Sequence, residues 1–210
     1  LCKEAGNPAG MELPQIVVVG DQSSGKSSLL TAITSFPFPT AGGTCTKRPI
    51  VVRTTRRTGK HREFWVEDKE TEEEDVLEEL KKVQNHITED PVNVKAFGPE
   101  LEDLVLVDLP GLLQNGNPTD QAAIVQMVRK YIAPDESLIL VVTEAKQDVE
   151  NSQGLKLAED ADPQGNRTLR VLTKFDVFDT DDSKKRACMT VCTPPQLPKI
   201  APHAVVCRCN

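Results

Sequence analysis

The stretch that decides the fold is QIVVVGDQSSGKSSLLTAIT, residues 15–34. Four of its first five residues are apolar and β-branched, which predicts a short buried strand over residues 15–19. The strand pattern stops at Gly20, and apolar residues at helical spacing then predict a helix over residues 27–34. A strand, a polar loop with two glycines and a helix, in this order, are the context that a phosphate-binding loop requires.

The loop itself, GDQSSGKS at residues 20–27, matches the pattern G-x-x-x-x-G-K-[ST] in full. Gly20 and Gly25 permit a tight turn whose backbone N–H groups point inward, and the start of the helix adds a positive dipole end. Lys26 is therefore expected to place its ammonium on the β- and γ-phosphates of a nucleotide, and Ser27 to ligate Mg²⁺. The alternative is a chance match in a polar turn, which the flanking strand and helix disfavour.

A second motif, DLPG at residues 108–111, follows another long apolar strand. Asp108 can hold the Mg²⁺ through water, and Gly111 can offer its N–H group to the γ-phosphate. Taken alone, an aspartate before Pro-Gly is more often an ordinary turn. Its pairing with a phosphate loop favours the catalytic interpretation.

A third motif, TKFD at residues 173–176, closes a strand and indicates which base is bound. A carboxylate at Asp176 can accept hydrogen bonds from both the ring N–H and the exocyclic amine of guanine, which adenine cannot reciprocate. Thr173 precedes Lys174, whose alkyl stem can lie over the base. In this order, on three separate strand ends, the motifs predict a GTP site.

The remaining chain alternates short apolar strands with amphipathic helices. Further strands are predicted at residues 49–53, 62–66, 92–97, 104–111, 138–142 and 168–176, and further helices at residues 69–87, 122–132 and 152–161. The connection TTRRTGK at residues 54–60 predicts a hairpin between the first two of these strands. The alternation predicts an α/β fold of the three-layer P-loop NTPase kind, with a mostly parallel central sheet flanked by helices on both faces.

The overall charge limits the classes of partner. The chain has 210 residues and a formal net charge of −7, which fits one soluble domain and argues against a general nucleic-acid binder. No apolar run approaches the ~20 residues that cross a bilayer. One local cluster is basic and consists of Lys47, Arg48, Arg53, Arg56, Arg57, Lys60 and Arg62. We interpret this basic cluster as a solvated strand and turn beside an anionic ligand site, with membrane contact as the alternative.

The six cysteines are expected to be free thiols in a reducing compartment, because no export signal precedes them. Four of them lie near the C-terminus around His203, but their gaps do not match the common zinc spacing. Several prolines beyond residue 182 forbid a long regular helix there. Since the chain begins at Leu1, we expect a fragment rather than a secreted protein.

With these motifs in view, the chain resembles the GTPase domain of the dynamin superfamily, especially dynamin and the interferon-induced Mx proteins. The marks of this resemblance are GDQSSGKSS (20–28), TCTKRP (44–49), LVDLPG (106–111), DPQGNRTLRVLTKFD (162–176) and VVCRC (205–209). The Gln-Ser pair inside the phosphate loop is the sharpest discriminator, because Ras-like GTPases lack it. The resemblance implies that residues 1–210 are one dynamin-type GTPase domain, truncated near its last base-contacting loop.

The resemblance also implies roles for single residues. Gln22 would help to place the attacking water, and Ser23 would contact the phosphates and a monovalent cation, K⁺ or Na⁺. The carbonyls of Ala41 and Gly43 match positions that complete the shell of that cation, and Thr46 matches the switch threonine that orients the water and closes on Mg²⁺. The other implied nucleotide contacts are Asp21, Ser24, Ser28, Cys207 and Arg208. For the last of these, a terminal charge without a ligand role remains an alternative.

By the same resemblance, the chain is expected to hydrolyse GTP and, within a longer protein, to power membrane remodelling. Face-to-face pairing of two GTPase domains, peripheral membrane attachment in the cytoplasm and, in some members, microtubule binding are implied in the same way. One alternative is a catalytically weak, nucleotide-dependent binding or switch module, because residues 187–201 lack the helical pattern of the family. Another is a different P-loop enzyme such as an ATPase, which the TKFD motif disfavours.

Overall fold

The computed structural model describes residues 15–34, 36–39, 46–59, 61–146 and 151–174, and the backbone of residues 202–204. The strands of this part are β1 (Gln15–Val19), β2 (Ile50–Arg56), β3 (Glu63–Val66), β4 (Lys69–Thr71), β5 (Val92–Gly98), β6 (Leu104–Asp108), β7 (Leu138–Glu144), β8 (Thr168–Thr173) and β9 (Pro202–Ala204). The helices are α1 (Lys26–Thr34), α2 (Glu73–Val83), α3 (Pro118–Ile132) and α4 (Gln153–Ala161). The strands form one sheet in the order β4-β3-β5-β2-β6-β1-β7-β8-β9.

The sheet is mostly parallel, as predicted. Parallel pairs join β1 to β6 and β7, β2 to β5, β7 to β8 and β8 to β9. Antiparallel pairs join β2 to β6, and β3 to β4 and β5. Because β1, β6, β7 and β8 run in the same direction, their carboxyl ends meet at one edge, where ligands of α/β sheets bind. The motifs that begin at Gly20, Asp108 and Thr173 therefore lie along that edge.

Two apolar cores lie on opposite faces of the sheet. Side chains of β1 alternate between them, since Val18 belongs to one core while Val17 and Val19 belong to the other. The first core takes buried residues from α1 and α2, and the second takes buried residues from α3 and α4. Helices on both faces make three layers, which confirms the predicted fold class.

The helix ends follow local chemistry. α3 begins with a proline, and the Asn117 side chain before it accepts a hydrogen bond from the Thr119 N–H group at 3.0 Å. Ser152 caps α4 by accepting from the Leu155 N–H group at 3.3 Å. α2 carries acidic residues in its first turn and lysines in its last, which complements the helix dipole. None of the described helices is long and apolar enough to cross a bilayer.

The predicted hairpin at residues 54–60 is wrong. β5 lies between β2 and β3, parallel to the first and antiparallel to the second. The connection crosses the end of β5, where the Arg57 N–H group donates to the Gly98 carbonyl at 3.1 Å and the guanidinium lies 4.0 Å from the centre of the Phe97 ring. An inserted strand satisfies the backbone groups of both neighbours, which a two-stranded hairpin leaves partly unpaired.

The helix predicted over residues 69–87 is wrong at both ends. Its first residues form β4, which pairs with β3 in the hairpin that the chain does contain. Glu67 and Asp68 make that turn with φ values of 48° and 61°, the left-handed pair that tight hairpins favour. α2 starts only at Glu73 and ends at Val83. The helix predicted from the acidic composition and the apolar spacing was therefore four residues too long at each end. The proline-rich segment, the C-terminal cysteines and His203 lie outside the residues whose side chains the structure describes.

Candidate functional site

The loop between β1 and α1 has the compact backbone of a phosphate loop. Ser23 and Gly25 both have positive φ values, 63° and 93°, so the chain turns sharply twice before α1 begins. Ser23 is exposed at the tip of the loop, whereas Ser24 is buried. The Ser24 hydroxyl oxygen has no hydrogen-bond partner among the described residues. Ser28 lies within the first turn of α1 and is half-buried.

Lys26 lies inside the curve of this loop. Its side chain is 7% exposed, and its Nζ donates to the carbonyl oxygens of Gly20 and Asp21, each at 3.2 Å. Burial lowers the pKa of Lys26, while the nearby carboxylates of Asp108 and Asp21 act in the opposite direction. The loop therefore holds a buried cation whose own partners are mainly neutral carbonyl groups.

Asp108, at the end of β6, is fully buried beside this cation. Its Oδ2 accepts hydrogen bonds from the hydroxyls of Ser27 at 3.1 Å and Thr46 at 3.0 Å. Its Oδ1 is buried and has no hydrogen-bond partner in the described part of the chain. Burial raises the pKa of Asp108, and the attraction of Lys26 opposes this rise only in part.

The residues expected to bind magnesium fit that ion. Ser27, Thr46 and Asp108 offer two hydroxyls and a carboxylate, the hard oxygen donors that Mg²⁺ prefers. A buried carboxylate oxygen without a partner costs free energy, which an adjacent cation would offset. Across the described residues, no group of three or more His, Cys, Asp and Glu side chains could hold a metal ion.

Backbone hydrogen bonds fasten the phosphate loop to the segment that follows Asp108. The Gln22 N–H group donates to the Leu112 carbonyl at 2.9 Å, and the Leu112 N–H group donates to the Gly20 carbonyl at 3.1 Å. A Cβ atom on Gly111 would lie 2.7 Å from the Gln22 Cα and 3.0 Å from the Lys26 Nζ. Only glycine allows the DLPG segment to approach the loop this closely.

The base motif is tied to the phosphate loop as well. The Thr173 hydroxyl donates to the Ser24 carbonyl at 2.5 Å, and its oxygen also lies 3.3 Å from the Thr143 carbonyl oxygen. Lys174 follows with a positive φ of 57°, and its Nζ lies 2.5 Å from the Glu144 Oε1. The strand ends that carry the base motif and the phosphate loop are therefore held in a fixed relation.

A cavity of about 590 Å³ opens beside the loop. Gln22, Gln114 and Glu144 are among the polar side chains that line it. Gln22 is half-buried and borders the space next to the phosphate loop.

The structure brings fourteen of the predicted site residues to one edge of the sheet: Gly20, Asp21, Gln22, Ser23, Ser24, Gly25, Lys26, Ser27, Ser28, Thr46, Asp108, Gly111, Thr173 and Lys174. The other five, Ala41, Gly43, Asp176, Cys207 and Arg208, lie outside the described residues and stay predictions.

Sequence reasoning missed three residues that contact this site. Leu112 acts through its backbone, so its side chain gives no signal. Glu144 ends β7 opposite Thr173, and only the strand register shows that it meets Lys174. Gln84 follows the last residue of α2 and binds the backbone directly after Thr46, at Lys47 and Arg48. In the sequence, a glutamine at the end of an amphipathic helix looks like any surface residue, so nothing marks its role.

Comparisons with known proteins agree with this geometry. A family model described as the dynamin family matches residues 16–175. Dynamin-2 of Homo sapiens is 36% identical over 188 residues, which cover 83% of this chain and 22% of that protein. Dynamin-1 of Rattus norvegicus has the same identity and coverage, and Dynamin-A of Dictyostelium discoideum is 36% identical over 191 residues, 80% of this chain and 22% of its own length.

The chain thus spans about a fifth of the length of these relatives, 22% in each case. The family model covers more than half of the chain, and it includes the phosphate loop, Asp108 and the first three residues of the base motif. The chain therefore belongs to the dynamin family.

Proposed function

We propose that this domain binds GTP at the carboxyl edge of the sheet and hydrolyses its β-γ phosphoanhydride. The observation that supports this most strongly is the group formed by buried Lys26, Asp108 and Thr46 with half-buried Ser27, in which one carboxylate oxygen has no partner among the described residues. A buried cation and a buried anion with so few polar partners are costly in an empty protein. They become favourable when a phosphate and a divalent cation enter.

Each residue has a proposed part in the reaction. The Lys26 ammonium binds the β- and γ-phosphate oxygens, and the backbone N–H groups of the loop, with that of Gly111, surround the transferred group. Gln22 and Thr46 orient the attacking water. Asp176 accepts hydrogen bonds from the guanine edge. Because the transition state is loose, catalysis depends on positioning and on charge rather than on covalent chemistry.

Ser27, Thr46 and Asp108 would hold Mg²⁺ in this proposal. The ion supplies charge that neutralises the phosphate oxygens when it is bound. The role of the protein is to aim two hydroxyls and one carboxylate at the same point, which the hydrogen bonds to Asp108 Oδ2 support. A monovalent cation near Ser23, Ala41 and Gly43 would add a second positive charge, and this part rests on the family resemblance.

The wider roles also come from the family. We infer that two domains pair through their nucleotide faces, and that the longer protein acts on membranes from the cytoplasm, with microtubules as a further partner. The basic cluster gives little support for direct membrane contact by this domain. Arg56, Arg57 and Arg62 each pair with a carboxylate of the same surface, so their charges are already neutralised locally.

The experiment is GTP turnover against protein concentration, in KCl and in LiCl, with ATP as the comparison substrate. We expect turnover that requires Mg²⁺, prefers GTP, needs K⁺ and rises more than proportionally with protein concentration. Equal use of ATP would contradict the base assignment. GTP binding without turnover would instead support a nucleotide-dependent switch module.

A further inference from the structure

One buried side chain holds the main chain directly after Thr46. Gln84 follows the last residue of α2 and is 7% exposed. Its Oε1 accepts from the N–H groups of Lys47 at 2.6 Å and Arg48 at 2.7 Å, and its Nε2 donates to the Arg48 carbonyl at 3.3 Å. Both ends of the amide are thus used on one dipeptide.

The surrounding contacts make this junction rigid. The Lys47 carbonyl accepts from the Thr88 N–H group at 3.4 Å, and the Pro49 carbonyl accepts from the Val92 N–H group at 2.7 Å. The Arg48 Nε donates to the Asp90 carbonyl at 3.0 Å. Hydrogen bonds from the end of α2 and from the loop after it therefore hold residues 47–49 in place before β2 begins.

Thr46 directly precedes this segment, residues 47–49. Its hydroxyl donates to Asp108 Oδ2 at 3.0 Å, and the side chain is buried. Because Gln84 fixes the N–H groups of the next two residues, it limits the orientations that the Thr46 backbone can take. Small displacements of a positioning group can change rates by about 100-fold.

We propose that Gln84 is a positioning residue for Thr46: its buried amide holds the dipeptide after the threonine so that the hydroxyl meets the Asp108 carboxylate. This inference rests on the proposed GTP hydrolysis for its kinetic consequence, but the holding itself is a property of the nucleotide-free protein. It assigns the C-terminal end of α2 a place in the support of the reaction.

Two substitutions separate positioning from mere stability. Gln84→Leu removes the oxygen that both N–H groups need, whereas Gln84→Glu keeps that acceptor oxygen and replaces the donor to the Arg48 carbonyl with a second carboxylate oxygen. We expect Gln84→Leu to lower kcat about 10- to 100-fold and to raise the Mg²⁺ concentration needed for half-maximal turnover, with KM for GTP little changed. Gln84→Glu should keep most of the turnover.

Combination with Thr46→Ala tests the route of the effect. If Gln84 acts through the threonine, adding Gln84→Leu to Thr46→Ala produces no further fall in kcat. An equal fall in both backgrounds would overturn the proposal, as would a loss of thermal stability in Gln84→Leu with kcat unchanged. Gln126→Leu, on the exposed face of α3, is the matched control and should behave as the wild type.

Amide hydrogen exchange on the nucleotide-free protein separates this inference from the proposed function. The amides of Lys47 and Arg48 should exchange slowly in the wild type and in Gln84→Glu, and quickly in Gln84→Leu. Rapid exchange of both amides in the wild type would refute the holding role. A wild-type protein that protects these amides but does not hydrolyse GTP would refute the proposed function. The role of Gln84 in fixing residues 47 and 48 would still be supported.

Discussion

Two charged regions of this molecule are built in opposite ways. At the carboxyl edge of the sheet, Lys26 and Asp108 are buried, and Asp108 Oδ1 lacks a hydrogen-bond partner among the described residues. On the extension formed by β2, β5 and β3, Arg56 and Arg57 are exposed and each is paired with a carboxylate. The first region contains few charges, and they are poorly compensated. The second contains many charges, and most of those described are paired with an opposite charge.

The difference separates buried charges that would bind a ligand from exposed charges that pair with each other on the surface. Burial disfavours the ionised forms, which is why the pKa of Lys26 is lowered and that of Asp108 is raised. Exposed ion pairs exchange one well-solvated state for another and contribute about 0–1 kcal/mol each. Substitutions in the two regions should therefore differ strongly in their effect on turnover.

Removing the buried cation should give the largest effect. Lys26→Met keeps the length of the side chain and removes the charge that would bind the β- and γ-phosphates. We expect GTP turnover to fall on the order of 1,000-fold, the range seen when a stabilising cation is lost from a phosphoryl-transfer site. Lys130→Met removes an exposed lysine that pairs with Glu89 at 2.9 Å, and it should leave turnover unchanged. Equal losses in both variants would erase the distinction between the regions.

Removing the buried anion should have the next largest effect, with opposite signs for activity and stability. Asp108→Asn should lower Mg²⁺-dependent turnover about 100-fold, because the variant loses the carboxylate that would hold the ion. The empty protein should become more stable at neutral pH, because burial of the ionised carboxylate is costly. Steady-state turnover and chemical denaturation without nucleotide measure the two effects.

The gain in stability should depend on pH. The pKa of Asp108 is raised above its ordinary value of 3.8, so this carboxyl favours the fold most below pH 3.8, and that contribution is lost as the pH rises through the folded pKa. The amide that Asp108→Asn introduces does not titrate, so the difference in unfolding free energy between this variant and the wild type should grow with rising pH. A difference that shrinks as the pH rises would mean that the carboxylate stabilises the empty site.

Close packing around the buried charges gives a third, smaller effect. Gly111→Ala would place a Cβ atom 2.7 Å from the Gln22 Cα, so the DLPG segment must move away from the loop. We expect turnover to fall about 10- to 100-fold, because positioning groups tolerate little displacement. Gly59→Ala, whose Cβ would meet its nearest neighbouring atom at 3.8 Å, is the control. Retention of full activity by Gly111→Ala would show that the approach is not needed for catalysis.

The sequence predicted the buried region better than the extension. Residues 20–27 carry their function in residue types at fixed spacing, so the phosphate loop could be recognised from the chain alone. The insertion of β5 between β2 and β3 depends on pairing between distant segments, which local patterns do not encode. Gln84 could not be found either, because its role comes from the position of α2 beside residues 47–49.

One family mark has a structural role that its sequence does not reveal. DPQGNRT begins at Asp162, whose carboxylate accepts from the N–H groups of Asn166 at 3.1 Å and Arg167 at 3.0 Å and from the Thr168 hydroxyl at 2.7 Å. These bonds shape the turn between α4 and β8, at the end of the sheet opposite to the phosphate loop. Resemblance alone could not separate such a scaffold motif from the ligand-binding motifs.

The smallest effect should come from the paired surface. Arg57→Gln removes an ion pair to Glu63 at 3.0 Å and a cation held 4.0 Å from the centre of the Phe97 ring, but it keeps the backbone bond to Gly98. We expect a loss of less than about 1 kcal/mol in unfolding free energy and no change in kcat or KM for GTP. A fall in turnover comparable to that of Gly111→Ala would mean that charge on the extension reaches the nucleotide edge. In that case the two regions would have to be distinguished by the electrostatic field that their charges exert on the nucleotide, rather than by how deeply those charges are buried.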